Sequence, residues 1–72
     1  MNTEELAKKV QEYARLHYHT NGWDIIEECY GTSTIILILE QSNVSTLHGA
    51  IKTFRDIAIM KDERRSEYSG EF

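Results

Sequence analysis

The sequence predicts an all-α domain, a small bundle of two long and two short helices. Three observations favour this fold. Apolar residues recur at helical spacing toward both ends of the chain, no proline interrupts them, and the carboxylates of the middle segment gather on one side of a helix. The 72 residues are expected to form one small domain, because a chain of this length supports a single core.

The first long helix is predicted to begin at Asn2. Asn2 is a favourable N-cap residue, and Glu5 follows at the spacing of a capping box. Asn21 and Gly22 are expected to stop the helix, since both tolerate the left-handed conformation found at helix ends. The predicted apolar face consists of Leu6, Val10, Tyr13, Ala14 and His17.

Residues 23–40 allow two interpretations. In one, Gly31 and Thr32 form a two-residue hairpin turn that pairs strands 23–30 and 33–40, which gives an αββα (α+β) fold. Pairing in that register scatters charged side chains over both faces of the hairpin, whereas strands with one buried face alternate cleanly. The hairpin therefore remains the alternative and not the preferred interpretation.

The helical interpretation arranges the same residues better. Asp24, Glu27 and Glu28 then lie on one side of a short helix, at positions i, i+3 and i+4. A lone strand over 34–41 would have no partner for its backbone, so this segment is predicted to be a third helix. Thr32 or Ser33 is expected to cap that helix, and its run of isoleucine and leucine indicates burial on nearly all sides.

The second long helix is predicted over residues 43–65, with Ser45 or Asn43 as its cap. Residues 66–72 form a polar tail that is expected to be flexible or to dock through Phe72. The apolar stripe of the helix consists of Leu47, Ala50, Ile51, Phe54, Ile57, Ala58 and then Met60 or Lys61.

The length of the chain points to self-association. A core this small supplies only about 3–5 kcal/mol, so domains of this size commonly need a disulfide, a metal or a partner chain. Cys29 is the single cysteine, which excludes an internal disulfide. We therefore expect a homodimer, because a second copy is the simplest source of additional buried surface.

The net charge of −4 arises entirely from residues 21–42, which contain four carboxylates and no lysine or arginine. This acidic balance argues against a wide surface for nucleic-acid phosphates. The first turn is acidic and lacks the basic and apolar regions of a signal peptide. No apolar run approaches the length of a membrane span, so we expect a cytoplasmic chain that does not enter a membrane.

The string Gly22-Trp23-Asp24, followed by Glu28-Cys29, resembles a segment of small uncharacterised proteins of phages, including cyanophages, and of some bacteria. The resemblance extends to a short apolar segment and a long helix that carries Arg64 and Arg65. It implies a mostly helical fold and a phage or bacterial source. It carries over no catalytic residue.

No motif indicates catalysis, a cofactor or a metal site. The spacing of zinc ligands is absent from the histidines and the cysteine, which are His17, His19, His48 and Cys29. Cys29 is predicted to be a small buried apolar residue. The side chains of Glu27 and Glu28 diverge by about 100° on a helix, so they do not converge on one atom. The chain is therefore expected to act without enzymatic activity.

A protein interface is the preferred functional interpretation. An acidic patch beside aromatic anchors suits a basic protein partner, and the candidate residues are Trp23, Asp24, Glu27, Glu28 and Tyr30. The competing interpretation is that the aromatic side chains, Trp23 above all, simply close the core.

The alternative function is a helix-turn-helix regulator that binds nucleic acid. A short apolar helix, a polar turn and a longer helix follow one another over 34–65, as in that motif. The neighbouring acidic segment disfavours it by repelling phosphate. The base-reading face would consist of Ser45, Thr46, His48, Lys52, Thr53 and Arg55.

Overall fold

The computed structural model describes residues 2–69, with the side chains of residues 2–65. Over this part of the chain it has four helices and no strand, so the predicted all-α fold is confirmed and the hairpin alternative is wrong. Hydrogen bonds along each of the two middle helices take the place of the strand pairing that a hairpin would require. The helices are α1 (Thr3–Leu16), α2 (Trp23–Cys29), α3 (Thr32–Gln41) and α4 (Leu47–Ser69).

Helix α1 begins as predicted. The Asn2 side chain accepts a hydrogen bond from the backbone N–H of Glu5 at 2.8 Å. The helix ends earlier than expected, because the backbone N–H of His17 makes its last hydrogen bond, to the carbonyl of Tyr13 at 2.9 Å. His17 is exposed and not part of the buried face; its ring stacks on Tyr13 with ring centroids 4.0 Å apart.

The loop between α1 and α2 depends on two residues with positive φ, Asn21 at 38° and Gly22 at 84°. Gly22 is buried against the backbone of α4, and a β-carbon there would overlap the carbonyl oxygen of Ala58. This close approach directs the first residue of α2, Trp23, into the core. The predicted stop residues therefore position α2 and do not end α1.

Helix α3 differs from its prediction in two ways. Its N-cap is Gly31, without a side-chain hydrogen bond, so the predicted cap by Thr32 or Ser33 is wrong. Thr32 already belongs to the helix, and its hydroxyl donates to Oε1 of Gln11 on α1 at 3.0 Å. Burial on nearly all sides is also wrong: Leu37 is 54% exposed, because α3 packs closely on α1 alone.

The connection between α3 and α4 is a Schellman motif centred on Asn43 at φ 54°. The backbone N–H of Asn43 donates to the backbone carbonyl of Glu40, and the backbone N–H of Val44 donates to that of Leu39. Because Asn43 ends α3, it does not cap α4 as predicted, and Ser45 does not cap it either. Thr46 does, since its hydroxyl accepts from the backbone N–H of Gly49 at 3.1 Å.

Helix α1 is central, with α2, α3 and α4 each packed against it. Helix α4 contributes Phe54, the largest fully buried side chain, and Tyr30 packs edge-on against its ring with centroids 6.1 Å apart. The prediction for Phe72 lies outside the described residues. The buried core consists of Leu6, Ala7, Val10, Ala14, Trp23, Ile26, Ile35, Leu39, Ala50, Phe54 and Ala58.

Candidate protein-binding site

The predicted acidic patch is partly neutralised within the chain. Asp24 accepts a hydrogen bond from the Arg65 guanidinium of α4 at 2.7 Å, and Arg65 also pairs with Asp62 at 3.5 Å. The hydrogen bond from Arg65 holds the pKa of the Asp24 carboxyl below its ordinary value. Asp24 is therefore engaged in joining α2 to α4.

The other two carboxylates of the patch also have neighbours. Glu28 accepts a hydrogen bond from the hydroxyl of Tyr18, and this bond is the main reason that the pKa of Tyr18 is raised. Glu27 lines a polar cleft of about 400 Å³ together with Lys8 and Arg15 of α1. The negative charge of residues 21–42 is thus partly offset in the folded chain, by Arg65 at Asp24 and by Lys8 and Arg15 near Glu27.

The two aromatic members of the predicted interface do not serve as exposed anchors. Trp23 is only 3% exposed, so it is not an exposed anchor, and the competing interpretation, closure of the core, describes it. Its ring lies against Tyr13 with centroids 4.8 Å apart. Tyr30 is half-buried against Phe54. Gly22, the residue before Trp23, packs against the backbone of Ala58 on α4.

A different surface presents apolar side chains. A cleft of about 270 Å³ lies between α1 and the first two turns of α4, and we call it the α1–α4 groove. Its apolar walls are Leu16 and Tyr13 on one side and Leu47 and Ile51 on the other, with two charged residues at its rim. The lining residues are Lys9, Glu12, Tyr13, Leu16, Leu47 and Ile51.

Leu16 is the most exposed large apolar side chain among the described residues, at 73%. Leu16 was not among the predicted interface residues, because it lies off the stripe that forms the core face of α1. A signal was present: Leu16 follows Tyr13 by three residues and Lys9 by seven, so these residues form a second stripe beside the core face. The loop after Leu16 turns toward α4 and leaves this last residue of α1 uncovered.

The residues of the predicted nucleic-acid face lie at the start of α4, and Ser45, Thr46, His48, Lys52 and Arg55 are exposed. Thr46 is occupied as the cap of α4.

Two further members of that face bond within α4. The Thr53 hydroxyl donates to the carbonyl of Gly49, and Lys52 pairs with Asp56 at 3.8 Å. Helix α3 packs on α1 and not closely on α4, whereas the two helices of a helix-turn-helix pack together.

The histidines and the cysteine of the sequence all lie in the described part of the chain. No three His, Cys, Asp or Glu side chains there come close enough to hold a metal ion. Cys29 is exposed at the end of α2, so its predicted burial is wrong; the core face of α2 is occupied by Trp23 and Ile26.

No protein-family model matches this chain, and comparisons with curated proteins and with solved structures find no match either. The resemblance to small phage proteins therefore stays a prediction. Within residues 2–69, no helix combines the length and the apolar character needed to cross a bilayer.

Proposed function

We propose that this chain is a non-catalytic protein-binding domain whose contact surface is the α1–α4 groove. The observation that carries the proposal is the position of Leu16, a leucine with 73% of its surface exposed beside an apolar cleft. Apolar side chains that remain exposed around a concave surface favour association, because a partner removes them from water.

The composition of the groove supports this role. Four of its six lining residues are leucine, isoleucine or tyrosine, and the other two are Lys9 and Glu12, which are exposed. An apolar centre with a polar rim is the usual anatomy of a protein interface, and tyrosine is enriched among residues that contribute most to binding. Both walls are helical, so little conformational entropy is lost when a partner binds.

The acidic residues of α2 are a weaker basis for binding. Asp24 and Glu28 already accept hydrogen bonds from Arg65 and Tyr18, and a basic partner would have to replace those contacts. In the proposed function the chain is an accessory protein, in keeping with its resemblance to small phage and bacterial proteins, and its partner is a protein.

The test is site-specific photocrosslinking in living cells. A photoreactive phenylalanine analogue replaces Leu16 in one variant and Leu37 in a control, because Leu37 is a second exposed leucine that lies outside the groove. We expect protein adducts from position 16 and few from position 37. Equal yields at the two positions, or no adduct at position 16, would contradict the proposal.

A further inference from the structure

We infer that the occupant of the α1–α4 groove is the same groove of a second copy of this chain, in a two-fold symmetric dimer. This inference rests on the proposed function and names the partner of that site. Two properties of the described residues point to a second copy: the shape of the surface and the charges beside it. The area that a dimer requires is also modest.

The surface holds both a projection and a recess. Leu16 forms one wall of the cleft and keeps 73% of its surface exposed, and Leu47 and Ile51 form the opposite wall. A two-fold interface uses the same patch on both chains, so it requires this kind of self-complementarity. Leu16 of each copy would lie against the α4 wall of the other, and four apolar walls would leave water together.

The charges at the rim are also self-complementary. Lys9 and Glu12 lie one turn apart on α1, and neither forms an ion pair with another described side chain. Two copies that carry −4 each repel one another in general, but this face contributes one cation and one anion and has no net charge. A two-fold contact brings Lys9 of each copy toward Glu12 of the other.

The area that is needed is modest. A standard interface covers about 800 Å² on each partner, which is about a sixth of the 4948 Å² surface of this chain. A chain of 72 residues also gains more from added burial than a larger domain does.

Sedimentation velocity on the purified chain under reducing conditions tests the inference, from micromolar to millimolar concentration. We expect a reversible dimer. Leu16→Glu places a carboxylate in the interface and should weaken association at least about tenfold, while Leu37→Glu has the same chemistry outside the groove and should leave association unchanged. Both variants are expected to remain folded, because both positions are exposed, and circular dichroism checks this.

Exchanging the charges of Lys9 and Glu12 gives a second test of the dimer, one that does not remove apolar surface. Lys9→Glu alone and Glu12→Lys alone each create like charges across the contact and should weaken the dimer. The double exchange keeps the net charge of the native chain and should restore association. If both single variants lose association and the double variant does not regain it, the predicted pairing of Lys9 with Glu12 of the other copy is wrong.

The two proposals fail in different ways. A chain that stays monomeric at millimolar concentration, while position 16 still crosslinks to a different protein in cells, overturns the dimer and leaves the protein-binding function intact. Adducts of twice the chain mass from position 16 support the dimer. A monomeric chain without any adduct at position 16 overturns both.

Discussion

Gly22 lies against the backbone of Ala58 so closely that a β-carbon on Gly22 would overlap the Ala58 carbonyl oxygen. The backbone at Gly22 also has φ of 84°, a conformation that other residues rarely adopt. This one contact joins the loop before α2 to the middle of α4 and determines where Trp23 enters the core.

Gly22→Ala is expected to lower the free energy of unfolding by about 2 kcal/mol or more, because the added methyl group must separate the loop from α4 at a strained φ. Urea unfolding followed through Trp23, the only tryptophan, measures the change. Gly31→Ala is the matched control, since nothing lies within 4 Å of its β-carbon position. We expect that variant to stay within about 0.5 kcal/mol of the native chain. Equal effects of the two substitutions would contradict the close packing at Gly22.

Removing the charge of Asp24 should reduce stability in a pH-dependent way. Arg65 lowers the pKa of Asp24 in the folded chain, so the pair stabilises the fold above the ordinary carboxyl pKa and loses its effect as pH falls through the lowered value. The melting temperatures of the native chain and Asp24→Asn should differ near neutral pH and converge in strong acid. High salt should also reduce the difference.

Asp56→Asn, which breaks an exposed pair on α4 at 3.8 Å, is the control and should show a smaller effect. A difference between the native chain and Asp24→Asn that grows as pH falls would contradict the ion pair.

Cys29 should react with a thiol reagent in the folded state, because its side chain is exposed at the end of α2. Titration with Ellman's reagent is expected to consume one equivalent at a rate close to that of the unfolded chain. Cys29→Ser should show no reaction. A thiol that reacts only after denaturant is added would place Cys29 in the core and would contradict the orientation of α2.

Duplex DNA is expected not to bind the chain at micromolar protein concentration. Lys52 is paired with Asp56, the chain carries −4, and α3 does not pack closely on α4 as the first helix of a helix-turn-helix would. A mobility-shift titration at two salt concentrations tests this expectation. Binding that weakens steeply with salt and disappears in a Lys52→Glu variant would instead favour the nucleic-acid regulator.

Periodicity predicted the two long helices, and α1 shows the local cause most clearly. Leu6, Val10 and Ala14 recur on one face of α1, and Asn2 caps it through Glu5. Helix α3 was predicted for a different reason. Its isoleucines favour strands, but a strand there would have had no partner, and the segment packs as a helix on α1.

The features that were not predicted depend on contacts between residues that are distant in sequence. The Asp24–Arg65 pair spans 41 positions, so the charge of residues 21–42 could not reveal that α4 neutralises part of it. The sequence left two interpretations of Trp23 open, and the packing of α2 decides between them by burying Trp23 and exposing Cys29. The α1–α4 groove was missed for the same reason, since Leu47 and Leu16 become neighbours only after folding.

The central claim is that the chain associates through the α1–α4 groove, and a dilution series of ¹H–¹⁵N correlation spectra tests it most directly. On dilution from millimolar to micromolar concentration, the amide signals of Leu16, Leu47 and Ile51 should shift, while those of Leu37 and Ile59, which are exposed outside the groove, should stay in place. Spectra that do not change with concentration, or shifts centred on Leu37 in α3, would contradict the claim.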